Sequence, residues 1–229
     1  MRSLVPAYIW AGDHERWRAL IRTRPDAVIV NPASGPPGPD DRVFRRRADE
    51  LEAAGIVRYG YVPLGWLRDV ADRRVEAALQ AIGRWRDAVP TIEGIFLDES
   101  PSGWRSGDEH ALGALLDATT GLLPDGAPEH APLVLNPGTT VEPGWQERWN
   151  EVLWCTFEGS AADFLAADPT PTPGGRQVAL VHSCRSSAER RRVLERAGDA
   201  GWSWAHATTG RLPDPWRTVP RASLGRLSP

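Results

Sequence analysis

Short apolar runs alternate with longer amphipathic stretches from one end of the chain to the other. The runs fall at residues 4–10 (LVPAYIW), 26–31 (DAVIVN), 56–62 (IVRYGYV), 93–98 (EGIFLD), 132–136 (PLVLN), 152–158 (VLWCTFE), 177–183 (QVALVHS) and 201–206 (GWSWAH). Each is brief, apolar or β-favouring, and flanked by Gly, Pro or Asp. That pattern predicts strands buried on both faces of a parallel sheet. Between them, residues 13–23 carry Trp17, Leu20 and Ile21 on one helical stripe, and residues 40–54 carry Val43, Phe44, Ala48 and Leu51 before a stop at Gly55. Residues 69–86 place Val70, Val75, Leu79 and Ile82 at helical spacing, and 106–122 is a further helix. The stretch 187–197 opens with Ser187 and closes before Gly198, as helix ends do. Its Arg190, Arg191, Arg192 and Arg196 read as a solvated helix face.

Eight strands separated by helices predict an α/β fold: one short (β/α)8 barrel, TIM-like, over residues 1–229. The tail after the last strand holds Pro213, Pro215 and Pro220, so the last helix is expected to be reduced or missing. A doubly wound sheet is the alternative, but no Gly-x-Gly-x-x-Gly follows the first strand. Asn31-Pro32-x-x-Gly35 is echoed by Asn136-Pro137-Gly138. The two lie on strands two and five, not half a barrel apart, and read as strand-end turns.

Composition narrows the function classes. The chain is 41% hydrophobic and 25% charged, with a net charge of −3. Neither a nucleic-acid partner nor a membrane span is expected. All 27 Lys+Arg residues are arginine. Schiff-base catalysis, lysine-bound pyridoxal phosphate and the P-loop lysine are therefore excluded. Cys155 and Cys184 sit in or beside apolar runs and read as buried free thiols. No strand end has metal-ligand spacing and no Gly-x-Ser-x-Gly elbow is present, so neither a metal nor a cofactor is expected. The N-terminal MRSLVPAYIW runs straight into a strand with no apolar leader, which predicts a cytoplasmic protein for the chain as written. A monomer is expected.

A barrel of this type builds its active site from the C-terminal ends of its strands. The polar residues there are Tyr8, Trp10, Asn31, Tyr59, Tyr61, Asp98, Glu99, Asn136, Glu158, His182, His206 and Thr208. Asp98 shares a face with Phe96, and Glu99, one residue on, takes the face of Leu97. Thr156 shares parity with Glu158, and a polar residue suits the barrel interior, so Glu158 is expected to point into the mouth. Burial beside Phe157 and Trp154 should raise its proton affinity, while hydrogen bonds from Tyr61 or Asn31 would hold Asp98 ionised. Two carboxyls about 5–5.5 Å apart suit a retaining glycosidase, and about 6.5–9.5 Å an inverting one. Acidic strand ends that merely cap loops or pair with arginine are the plainer alternative. The eleven tryptophans add to the picture. Trp10, Trp66, Trp104, Trp154 and Trp204 fall at or just beyond strand ends, with Trp145 and Trp216 in nearby loops. Indole faces pack on the C–H faces of sugar rings, so at least two of the first five should line the cleft.

The segments Val5-Pro6-Ala7-Tyr8-Ile9-Trp10, Val30-Asn31-Pro32-Ala33-Ser34-Gly35-Pro36, Gly60-Tyr61-Val62, Gly94-Ile95-Phe96-Leu97-Asp98-Glu99 and Phe157-Glu158 come in an order and spacing that resemble the spherulation-specific family 4 (spherulin-4-like) proteins. The resemblance runs from residue 5 to about residue 220. It implies a (β/α)8 barrel and a glycoside hydrolase acting on galactosaminogalactan, an α-1,4-linked polymer of galactose and N-acetylgalactosamine, with essential acids at Asp98, Glu99 and Glu158. Where many relatives have Thr-Asp after the last strand, this chain reads Thr208-Thr209. Relatives are usually exported. The resulting expectation is a retaining glycosidase on a galactosamine- or N-acetylgalactosamine-containing glycan. Asp98 is its nucleophile or stabiliser and Glu158 its acid/base, or the reverse. Glu99 orients Asp98's surroundings or holds a substrate hydroxyl or amine, and the acetamido oxygen of an N-acetylated substrate is an alternative nucleophile. Tyr8, Trp10, Asn31, Tyr61, Asn136, His182 and Trp204 are expected to bind substrate. The alternatives are a non-catalytic sugar-binding or cell-surface structural barrel and an intracellular barrel turned to small-molecule biosynthesis.

Overall fold

Each apolar run becomes a strand, and each strand lies parallel to the next. The computed structural model describes residues 1–68, 71–103, 105, 107–120, 131–167 and 176–218. The strands are β1 (Arg2–Ala7), β2 (Ala27–Val30), β3 (Val57–Pro63), β4 (Gly94–Asp98), β5 (Leu133–Asn136), β6 (Leu153–Ser160), β7 (Gln177–His182) and β8 (Trp204–Ala207). They pair in sequence order and β8 closes on β1, giving a closed parallel barrel of the (β/α)8 type. The helices are α1 (His14–Thr23), α2 (Arg42–Ala53), α3 (Ala71–Ala88), α4 (Asp108–Thr120), α5 (Trp145–Arg148), α6 (Ala161–Ala166) and α7 (Ser187–Asp199). The two that the pattern did not announce, α5 and α6, are too short to show a helical period. After β8 comes a single 3-10 turn, Pro215–Arg217, in place of an eighth helix among the described residues.

Polar residues mark where the helices start. Asp13, Asp41, Ser160 and Ser186 each accept a backbone N–H of the following helix through the side chain. Two of the four arginines expected to form a solvated face on α7 do more than that. Arg190 donates to the Ala207 carbonyl and Arg196 to that of Ala167, fastening α7 to β8 and to the end of α6.

Alternation along the strands makes two apolar layers. Leu4, Ala27, Ile29, Tyr59, Phe96, Val134, Cys155, Val178 and Leu180 fill the barrel, while Val28, Val30, Ile95, Leu97 and Leu135 face the helices. Both cysteines are free and buried. Gly94 is dictated by this packing. A Cβ there would stand 2.6 Å from the Tyr59 ring and 2.7 Å from the Pro132 carbonyl oxygen. Tyr59 uses that space to cross the barrel and donate its hydroxyl to the Ala131 carbonyl at 2.9 Å.

β6 departs from simple alternation. Cys155 pairs with Val178 and faces the interior, but the next pairing is Phe157 with Ala179, so Thr156 is an extra residue in a bulge. Phe157 then packs outward on Phe164, with ring centroids 4.9 Å apart. Glu158, opposite Leu180, returns to the interior. The inward direction expected for Glu158 is correct, but the parity behind it is not. Without the bulge, Cys155 and Phe157 would share the inner face and Glu158 would point into the helical shell.

Candidate active site

At the C-terminal ends of β4, β5 and β6 the alternation brings Asp98, Asn136 and Glu158 together. Asn136 pairs directly with Asp98 across the β4–β5 ladder. Its side-chain oxygen accepts the Gly138 N–H at 3.0 Å, which closes the strand-end turn and leaves the NH2 group facing the mouth. That nitrogen donates to Asp98 Oδ1 at 2.7 Å and to Glu158 Oε2 at 2.5 Å. One amide therefore bridges both carboxyls. The two oxygens that share it can be no farther apart than these lengths laid end to end. Gly138 turns at φ 66°, a left-handed conformation that glycine adopts without strain.

Asp98 has a second donor. The Tyr61 hydroxyl reaches Asp98 Oδ2 at 2.7 Å, with its ring stacked on Phe96 and met edge-on by Tyr8. Burial and the nearby carboxylates push the Tyr61 phenol well up, so it remains a donor throughout the pH range in which proteins work. Two donors aimed at one carboxyl suit an acceptor-only carboxylate. Asn31 does not supply one of them. Its side-chain oxygen instead accepts the Gly35 N–H at 3.0 Å, making the matching turn at the end of β2.

Glu158 has a different environment. Burial raises its proton affinity above that of an ordinary glutamate and repulsion from Asp98 adds to this, while hydrogen bonds from Asn136 and Trp216 oppose it. The rise agrees with the sequence-based expectation, though its expected source does not. Trp154 and Phe157 lie on the outer face of β6, packed with Trp145 and Trp149 and with Phe164 respectively. Trp216 takes the place expected for Trp154, donating its indole N–H to Glu158 Oε1 at 3.2 Å.

Glu99 breaks the alternation. The chain enters the left-handed region there, at φ 52°, and the Glu99 carbonyl accepts the Trp66 N–H at 2.7 Å. The Glu99 carboxylate still acts on the Tyr61 phenol, which places its charge within reach of the site despite the opposite face expected for it.

A pocket of about 670 Å³ opens beside the pair. Tyr8, Trp10, Asn31, Glu158, His182 and Trp216 contribute to its wall. Of the residues expected to bind substrate, Tyr8, Trp10, Asn31 and His182 therefore lie here, while Tyr61 and Asn136 serve the carboxylates. Trp204 does not belong to the site. It is the first residue of β8, registered with Arg2 at the opposite end of the barrel, and it is buried with the Arg2 guanidinium over its ring. Trp154 is likewise enclosed. Trp10 is 79% exposed and Trp66 36%; where at least two of the five were expected to line the cleft, Trp10 alone does so among the described residues, and Trp66 is exposed beside the Glu99 carbonyl. Trp104 lies outside the described residues. No group of three His, Cys, Asp or Glu side chains suited to a metal occurs among the described residues, and no described helix is long and apolar enough to cross a membrane.

Fold and site together define a (β/α)8 barrel with hydrogen-bonded acidic side chains at the C-terminal ends of β4 and β6. Residues 2–224 match the family described as spherulation-specific family 4, and the chain belongs to that family. Among solved structures, Aspergillus clavatus Sph3 in complex with GalNAc shares the fold. It is 19% identical, with a TM-score of 0.71 over 95% of this chain and 92% of that one. No curated protein matches the sequence.

Proposed function

We propose that the protein is a retaining glycoside hydrolase acting on an α-linked glycan that contains galactosamine or N-acetylgalactosamine. The observation that carries this reading is the Asn136 bridge, which holds Asp98 and Glu158 in one hydrogen-bonded unit at the barrel mouth. Oxygens so close to a shared donor fit the short carboxyl separation of retaining enzymes, about 5–5.5 Å, which leaves no room for an attacking water between them. Membership of the family and the GalNAc bound to Aspergillus clavatus Sph3 support the class of sugar.

In the first step Asp98 attacks the anomeric carbon as the C–O bond to the leaving sugar breaks, and Glu158 gives its proton to the departing oxygen. The raised proton affinity of Glu158 suits that role. In the second step water attacks the same carbon, Glu158 takes a proton from it, and the bond to Asp98 breaks. Tyr61 and Asn136 hold Asp98 in line, and Glu99 lends negative charge beside a developing oxocarbenium ion. The pocket wall includes Glu158 but not Asp98, so the pocket lies on the acid's side and receives the leaving-group sugars.

The test is incubation with a panel of α-linked galactosamine and N-acetylgalactosamine oligomers, read by mass spectrometry. Shortened products that vanish in Asp98→Asn are expected. Binding of the same oligomers without turnover by the wild type would make the barrel a sugar-binding protein instead.

A further inference from the structure

The segment that follows β8 is fastened over the mouth by its own set of contacts. Cys184 N–H donates to the Thr208 carbonyl at 3.0 Å, and Ser183 N–H to that of Gly210 at 2.7 Å. Gly210 N–H returns to Thr208 Oγ1 at 3.1 Å. Gly210 admits no side chain, because a Cβ there would stand 1.9 Å from the Pro215 carbonyl oxygen. The chain is thus packed onto itself at this point, and the tight packing delivers Trp216 to the site. The buried Trp216 ring is met by His182 and His206, with both imidazole centroids 6.0 Å from its own. Its N–H points at Glu158 Oε1 while Asn136 occupies Oε2.

We propose that Trp216 is a positioning residue for Glu158, fixing the plane of its carboxyl group from the strap after β8. The inference rests on the reading of Glu158 as the acid/base. A carboxyl held by a different donor on each oxygen cannot rotate, so its proton stays aimed at the glycosidic oxygen. With the Trp216 donor removed, one oxygen is free and the carboxyl turns about its remaining bond to Asn136.

The groups around Glu158 leave this contact as a tuning element. Tyr8, Tyr61 and Cys155 face it from the end of β1, from β3 and from its own strand, and burial pushes all three upward, so they stay neutral. Burial pushes His182 and His206 downward, so the imidazoles on Trp216 are neutral at neutral pH. Asp98 repels the ionised form of Glu158, and Arg16, Asp214 and Arg217 stand farther out on the pocket wall. The Trp216 N–H favours the ionised form. Its loss moves the Glu158 midpoint upward.

The experiment compares the wild type, Trp216→Phe and Glu158→Gln, each labelled with 15N-tryptophan. One indole N–H resonance, missing in Trp216→Phe, is expected to move with pH through a single midpoint and to lose that dependence in Glu158→Gln. The alkaline limb of kcat/KM should share the midpoint and rise by about one pH unit in Trp216→Phe, the size of one hydrogen bond to a charged group. Turnover of oligomers should fall about tenfold, while the first step on an activated aryl glycoside, which needs no acid, runs at nearly the wild-type rate. No titrating indole, or one that titrates unchanged in Glu158→Gln, overturns the proposal, as does an unshifted limb in folded Trp216→Phe. If Trp216→Phe does not fold, the wild-type and Glu158→Gln spectra decide alone. The spectra need no turnover. An indole that follows Glu158 in a protein that cleaves no glycan therefore supports the positioning contact and sinks the glycosidase reading separately.

Discussion

At the scale of single residues, the site divides two similar carboxyls by what surrounds them. Asp98 takes hydrogen bonds from Tyr61 and Asn136, whereas burial and Asp98 itself raise the proton affinity of Glu158. Two experiments read the difference. Glu158→Gln should lose about 10²–10⁴-fold on sugars with poor leaving groups, the usual size of general acid catalysis, yet keep the first step on an activated aryl glycoside. Asp98→Asn should be inactive on both substrates. If the two variants exchange these behaviours, the assigned roles are reversed. Thermal stability gives a second measurement. The folded-state pKa of Glu158 is raised, so its protonated form is favoured by folding. The wild type therefore loses stability as pH climbs from the unfolded value near 4.3 through the raised folded one. Glu158→Gln lacks that proton. Its melting temperature relative to wild type should rise between pH 4 and pH 8, and a flat or falling difference would contradict the burial of this charge.

At the scale of elements, β6 carries the least obvious information in the chain. The eight apolar runs and their flanking turns were legible because a strand covered on both faces has few polar positions to confuse the pattern. The bulge was not, because one extra residue at Thr156 leaves composition and hydrophobicity unchanged while reversing every side chain after it. The tryptophans failed for a related reason. Trp154 is the second residue of β6 and Trp204 the first of β8, so both sit low in the barrel, and only register could have shown it. Trp216 is legible as a loop residue near the strand ends, but nothing in a proline-rich tail says that its indole reaches Glu158 on β6. Deleting Thr156 should return Phe157 to the interior and turn Glu158 outward, cutting oligomer turnover by about 10²–10⁴-fold. Thr156→Ala keeps the residue count and should stay within a few-fold of wild type. A folded deletion variant with normal turnover, checked by near-ultraviolet circular dichroism, would show that Glu158 does not owe its direction to the bulge.

At the scale of the whole molecule, the closed barrel fixes the order of groups around its mouth, and that order gives the site a polarity. Asp98 on β4 and Glu158 on β6 are joined through Asn136 on the strand between them. The pocket extends from Glu158 towards β7, the strap after β8, and the loops following β1 and β2. On the proposed mechanism, a glycan bonded at the carbon facing Asp98 and leaving past Glu158 lays its leaving-group sugars in that pocket. Trp10 has the exposure such a contact would need. Its ring lies so close over Gly12 that a Cβ there would be 2.5 Å from it, so one indole face rests on backbone while the side chain stays largely open. Trp10→Ala should therefore raise KM about tenfold for oligomers extended on the leaving-group side, in keeping with one lost ring contact of about 1–1.5 kcal/mol. It should leave the kcat of those oligomers nearly unchanged, because the ring touches neither carboxyl. An aryl glycoside, whose small leaving group ends at Glu158, should not register the substitution. Gly12→Ala, which displaces the ring without removing it, should show the same split in weaker form. Equal KM changes on the oligomer and the aryl glycoside would place Trp10 on the other side of the cleaved bond and reverse the polarity assigned to the pocket.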